Sequence, residues 1–184
     1  MAVSLYDGAT EYVLACATGG TDVYRYDSDG TNEALCTISG TAIGTGATRM
    51  GYDPSTGYVY IMDGSDKAST TIRRYTFTGT TLTFVDTITL STAPLNLGRT
   101  QMWIGANYIV IEQDTNNSLD FHRYGKDSGT EIEASMAYNF STTQQSGQYL
   151  RHPVNLAGYL VTEIQAGADV NIFFIKFSPD DLPF

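Results

Sequence analysis

The sequence predicts an all-β protein assembled from four copies of a unit of about 50 residues, and three observations carry that prediction. Arg25-Tyr26, Arg74-Tyr75, Arg123-Tyr124 and Lys176-Phe177 recur at intervals of 49, 49 and 53 residues. Each pair has an apolar residue two positions before its base: Val23, Ile72, Phe121 and Phe174. Upstream of each pair a tyrosine (Tyr12, Tyr58, Tyr108, Tyr159) opens a short apolar burst. The segments between turns alternate apolar and polar residues with a period of two, and none shows the 3.6-residue period of an amphipathic helix.

The second copy shows the elements most plainly. Arg49 to Asp53 reads as a first strand, and Asp53-Pro54-Ser55-Thr56-Gly57 supplies the residue types of a tight turn. Tyr58 to Asp63 is the second strand; its unbroken Tyr-Val-Tyr-Ile-Met run suits a strand covered on both faces. Thr71 to Phe77 is the third, and Thr78-Gly79 turns the chain into a fourth, Thr81 to Leu90. That last strand sets Leu82, Phe84, Ile88 and Leu90 on one face, with Asp86 interrupting, against Thr83, Val85, Thr87 and Thr89 on the other. The third copy repeats the alternation with Ile132, Ala134, Met136 and Tyr138, and the first with Ala34, Cys36 and Ile38. Gly30-Thr31, Gly79-Thr80 and Gly129-Thr130 follow the recurring base by five or six residues and mark the same turn in the first three copies.

Composition narrows the class. With 42% hydrophobic residues and 184 residues in all, the chain can bury a core, so disorder and collagen-like structure are excluded. The longest apolar run, Tyr58 to Met62, is far short of a membrane-spanning helix. A formal charge of −10 opposes a nucleic-acid or anionic-membrane partner. The N-terminal residues lack the basic and long apolar regions of a secretory signal. The body is nonetheless rich in Thr and Tyr and holds only three lysines, a composition suited to an exposed surface such as a virion component released by lysis.

Four-stranded units of this length, joined by Asp/Gly/Asn turns, resemble the blades of β-propellers. Tyr52-Asp53-Pro54-Ser55-Thr56-Gly57-Tyr58-Val59-Tyr60-Ile61-Met62-Asp63 is similar to the first hairpin of NHL- and YVTN-type blades, and Val23 to Thr31 to their third-strand turn. The resemblance implies one domain over 1–184 with repeats 1–48, 49–98, 99–147 and 148–184. Its departure is the number of units, four, of which the last stops after its third strand. A four-bladed ring of the hemopexin type is the first expectation, because closure within the chain would hide the outer faces of blades one and four. Half of a ring completed by a second chain is the second, and a β-sandwich the third.

Propeller geometry would bring the long connections, 40–48, 64–70, 91–98, 113–117 and 141–148, onto one face, where binding residues belong. Arg49, Arg99 and Arg151 recur at the start of innermost strands and would converge near the channel mouth, as an anion or acidic-glycan site or as partners of carboxylates such as Asp7, Asp53, Asp63, Glu112 and Glu163. Trp103, the lone tryptophan, reads as core packing or as a sugar-stacking platform. The stems of Arg25, Arg74, Arg123 and Lys176 are expected to cover apolar surface with their heads in water. Cys16 and Cys36 fall on second and fourth strands, too far apart for a disulfide, and read as free thiols. His122 and His152 have no second ligand-type cluster beside them, and no nucleophile elbow occurs, so no catalytic residue, metal or cofactor is expected.

The function expected is therefore non-enzymatic: a structural or interaction protein of a virus (phage) particle, as surface decoration, fibre or tail component. Its partners would be copies of itself or other virion proteins, without nucleic acid or membrane, at the virion surface or outside the cell. A glycan-binding lectin-like propeller is the alternative. A metal-dependent propeller hydrolase, with Glu112, Asp63, Glu163 and Asn155 as oxygen donors, is the second alternative.

Overall fold

The computed structural model describes residues 2–8, 10–17, 20–44, 49–62, 69–93, 102–115, 118–139, 150–156, 159–166 and 169–176; within that set, side chains are described up to residue 111 and again over 122–132. The described residues form sixteen strands and no helix, in four successive sheets. The first sheet is β1 (Ala2–Asp7), β2 (Thr10–Cys16), β3 (Val23–Asp27) and β4 (Ala34–Leu35). The second has the order β5 (Thr37–Ser39), β9 (Thr81–Thr89), β8 (Thr71–Thr78), β7 (Tyr58–Met62) and β6 (Arg49–Asp53). The third is β10 (Met102–Ile104), β11 (Tyr108–Thr115), β12 (Ser118–Gly125) and β13 (Glu131–Asn139). The fourth is β14 (Leu150–Leu156), β15 (Tyr159–Ala166) and β16 (Asp169–Lys176). The strands expected in the second copy match β6 to β9 to within a residue or so.

The first copy departs from expectation in its outer strand. Cys36 still donates its N–H to the Val23 carbonyl at 2.8 Å, but Thr37 donates to Thr80 of the second sheet, and β5 runs parallel to β9. Alternation survives the crossing, with Leu35 and Thr37 exposed and Cys36 buried. The reason is physical: a period of two specifies which face packs, not which neighbouring strand takes the backbone hydrogen bonds.

Two cores hold the sheets face to face. Leu5, Leu14, Cys16 and Val23 of the first sheet meet Val59, Ile61, Tyr75 and Leu82 of the second. Tyr60, Met62, Ile72 and Ile88 of the second sheet meet Ile104, Ile109, Ile111 and Tyr124 of the third. Strand β7 thus sends alternate residues into different cores, as its unbroken apolar run predicts. Full burial of each such side chain contributes roughly 1.5–3 kcal/mol, so the two interfaces dominate stability. The innermost strands follow in turn, with β1 beside β6 and β6 beside β10; among the described strands no comparable contact joins β14 back to β1.

Three joints recur between neighbouring sheets. The chain leaving one sheet hooks the outer turn of the next, Thr37 N–H to Thr80 O at 2.8 Å and Ser91 N–H to Gly129 O at 2.9 Å. The tyrosine of the Arg-Tyr pair holds the incoming linker, Tyr75 Oη donating to Thr41 O at 3.2 Å and Tyr124 Oη to Thr92 O at 3.0 Å. An aspartate ending an innermost strand reaches the next sheet's outer turn: Asp7 accepts from Gly79 N–H at 2.7 Å, and Asp53 from Lys126 Nζ at 2.9 Å.

The recurring base has a partner that sequence reasoning did not assign. Arg25 lies 4.7 Å from the Tyr12 ring centroid, Arg74 5.5 Å from Tyr58, and Arg123 4.8 Å from Tyr108. Register is the cause: each tyrosine pairs with the residue two beyond the base (Asp27, Thr76, Gly125), so ring and guanidinium share a face diagonally. Arg74 also binds Asp86 across the strand pair and Asp127 of the third sheet at 2.6 Å. The three arginine heads expected in water therefore lie over aromatic rings, and the side chain of Lys176 is outside those described. In the fourth sheet Tyr159 pairs with Lys176 itself, a register two residues different.

Candidate functional site

Strands β1, β6 and β10 each sit at one end of their sheet's order, bonded to a single strand, so half of their backbone N–H and C=O groups point away from the sheet. Between them lies a concave space of about 410 Å³. Tyr6 of β1, Tyr52 of β6 and Trp103 of β10 line it, with Met50 and Met102 between them. No charged side chain is among the described lining residues. Tyr6 is 55% exposed, and Tyr52 and Trp103 are half-buried. The Tyr52 hydroxyl donates to the Tyr6 carbonyl at 3.2 Å, tying the first two walls together. Gly51 permits the close approach of β6 and β10, since a Cβ there would lie 2.8 Å from Ile104 Cγ1.

Beside this concavity the frame is charged but neutralised. Asp53 is buried, and its carboxylate accepts from Ser55 N–H at 2.9 Å, Ser55 Oγ at 2.6 Å, Thr56 Oγ1 at 2.8 Å and Lys126 Nζ at 2.9 Å. Burial alone would raise its pKa, but the hydrogen bonds from Ser55, Lys126 and Thr56 outweigh burial and hold the carboxyl below the usual carboxylate range. Burial pushes the Tyr60 hydroxyl up to about 12.

The structure separates the residues singled out from sequence. Trp103 lines the concavity. Arg49 is 2% exposed, and its Nη1 donates to Met62 Sδ at 3.6 Å, on the strand directly opposite. Arg49 is not among the residues lining the described wall. Arg99 lies outside the described residues; Arg151 is placed only by its backbone on β14, opposite Glu163. Asp63 and much of the long-loop face also lie outside them, as do the side chains of Glu112, Glu163, Asn155 and His152. His122 Nδ1 is 2.8 Å from Glu131 Oε1, and its ring stacks on Tyr124 with 6.3 Å between centroids. Cys16 on β2 and Cys36 between β4 and β5 are buried free thiols on either side of β3, and burial raises both pKa values.

Tyr6, Tyr52 and Lys126 were not selected from sequence. The signal for the first two was present: Tyr6-Asp7 and Tyr52-Asp53 both end innermost strands. Lys126 offered only its place in the outer turn of the third copy, Gly125 to Gly129.

Successive sheets, the first three packed face to face with inner strand beside inner strand, define a propeller-like fold. The comparisons agree at that level. No family description and no curated protein matches the chain. A 6-phosphogluconolactonase-like protein of Bacteroides fragilis is similar with a TM-score of 0.52 at 13% identity, over 97% of this chain and 48% of its own. The GH43B protein of a Bacteroides ovatus xyloglucan locus, of the five-bladed GH43 propeller class, gives 0.50 at 14% identity, over 94% and 37%. The Mala s 1 allergen of Malassezia sympodialis gives 0.48 at 13% identity, over 94% and 48%. The chain thus spans half the length or less of these proteins, and the likeness extends to fold alone.

Proposed function

We propose that this chain is a non-enzymatic interaction protein of a virus particle, a decoration, fibre or tail component that works by contact with copies of itself or with other particle proteins. The observation carrying the reading is at the perimeter. The register of β8 with β9 skips Val85 between Asp86 and Phe84, and that of β12 with β13 skips Ile132 between Glu133 and Glu131. These matching bulges turn branched apolar side chains outward, Val85 38% and Ile132 45% exposed, while Leu35 of β4 is 57% exposed. The fourth strand of each of three successive units thus presents a large apolar side chain to solvent, Leu35 on β4, Val85 on β9 and Ile132 on β13. Lateral association of copies would remove these three side chains from water, which supports the reading.

Light scattering across a concentration series tests the proposal. The wild-type chain is expected to associate, and Leu35→Ser/Val85→Ser/Ile132→Ser to remain monomeric with an unchanged circular dichroism spectrum. A wild-type chain that stays monomeric throughout the series overturns the proposal.

A further inference from the structure

We infer that the concavity between β1, β6 and β10 is a binding site for a neutral saccharide, held by stacking on Tyr6, Tyr52 and Trp103. The inference is separate from assembly through the perimeter, because none of these residues is Leu35, Val85 or Ile132. Its volume of about 410 Å³ falls within the range of small-ligand sites, roughly 300–1,000 Å³. Aromatic side chains from three successive innermost strands line the space, the residue type that stacks on the C–H face of a sugar ring.

The polar groups decide against a purely apolar ligand. Strands β1, β6 and β10 are each the end strand of a sheet, so one edge of each carries backbone N–H and C=O groups that point away from its sheet. An apolar occupant would desolvate those groups without replacing their hydrogen bonds, whereas sugar hydroxyls donate and accept at the same place. Charge decides against an acidic ligand. The described wall carries no cation, the Arg49 guanidinium is buried against Met62, and the chain's charge of −10 repels anions. Tyr6, more than half exposed, forms an open rim through which a glycan end enters.

The lone tryptophan makes the test direct, because intrinsic indole emission reports the site itself. The wild-type protein is titrated with neutral gluco-, galacto-, manno- and xylo-oligosaccharides while Trp103 emission is followed, and is applied to a glycan array carrying neutral and sialylated or sulfated members. A saturable emission change with at least one neutral series is expected, with no tighter binding to acidic counterparts. Tyr6→Ala, at an exposed position, is expected to keep the wild-type melting temperature and weaken that binding about tenfold. A blank response to every neutral series, stronger capture of acidic glycans, or an unchanged affinity in Tyr6→Ala each overturns the inference. Perimeter association is measured separately, so failure here leaves that proposal standing, and the reverse.

Discussion

Replacing Lys126 by methionine and Asp53 by alanine, singly and together, tests whether a buried ion pair locks the second sheet to the third. Asp53 is 2% and Lys126 9% exposed, with 2.9 Å between Nζ and Oδ2. Lys126→Met removes one of four donors and leaves the carboxylate three, Ser55 N–H, Ser55 Oγ and Thr56 Oγ1, so its cost lies near 2 kcal/mol, below that of stripping a buried charge bare. Asp53→Ala removes the three turn hydrogen bonds, about 2 kcal/mol after water replaces some, and strands a buried ammonium for about 2 kcal/mol more. The double variant loses the turn but no longer buries a lone charge, and should cost about 3 kcal/mol where simple addition gives about 6. Urea unfolding, followed by Trp103 emission and by circular dichroism, measures all three. Additivity within about 0.5 kcal/mol, or a Lys126→Met cost below that figure, would show that the two charges do not act as a pair and refute the reasoning.

Tyr75→Phe and Tyr124→Phe each delete a hydroxyl bond to a linker carbonyl, and each should cost about 1 kcal/mol, additively because the two joints lie in different sheets; the urea midpoints of the single and double variants check this. Asp29, Asp53 and Asp86 are all held below the usual carboxylate range in the folded chain: Thr31 bonds to Asp29, the Arg74 guanidinium holds Asp86, and hydrogen bonds at Asp53 outweigh its burial. A folded value depressed in this way stabilises the protein above the unfolded pKa, so the urea midpoint should fall as pH drops below about 4 and keep falling through the folded values. Asp53→Ala should flatten that decline; an unchanged pH profile in the variant rejects the assignment. Gly129 has φ +65°, and a Cβ there would lie 2.2 Å from the Thr89 carbonyl oxygen, so Gly129→Ala should destabilise by about 2 kcal/mol or more in thermal melts.

Much of the fold was legible because repetition exposes register. The Arg-Tyr pairs, the tyrosine-led bursts and the Gly-Thr turns located the strands of the first three copies, and the unbroken Tyr58 to Met62 run announced a strand covered on both faces. The concavity was less legible. Trp103 could be proposed from its rarity and its place on an innermost strand, whereas Tyr6 and Tyr52 looked like ordinary strand ends. Arg49 shows what pattern leaves open: its recurrence at a strand start is compatible with a channel mouth or with a partner inside the protein, and its burial and its bond to Met62 Sδ come from packing.

Sequence by itself determined the all-β class, the buried faces of strands such as β7 and β9 and the free state of the two thiols, because period, turn chemistry and spacing act over a few residues. Tertiary structure alone decided that the outer strand of the first copy divides between two sheets, that Arg25, Arg74 and Arg123 lie over their tyrosines, and that Asp53 meets Lys126 across 73 positions. Those outcomes depend on which sheets pack together. Contact between residues far apart in the chain is set by the burial of whole faces, a quantity no local pattern encodes.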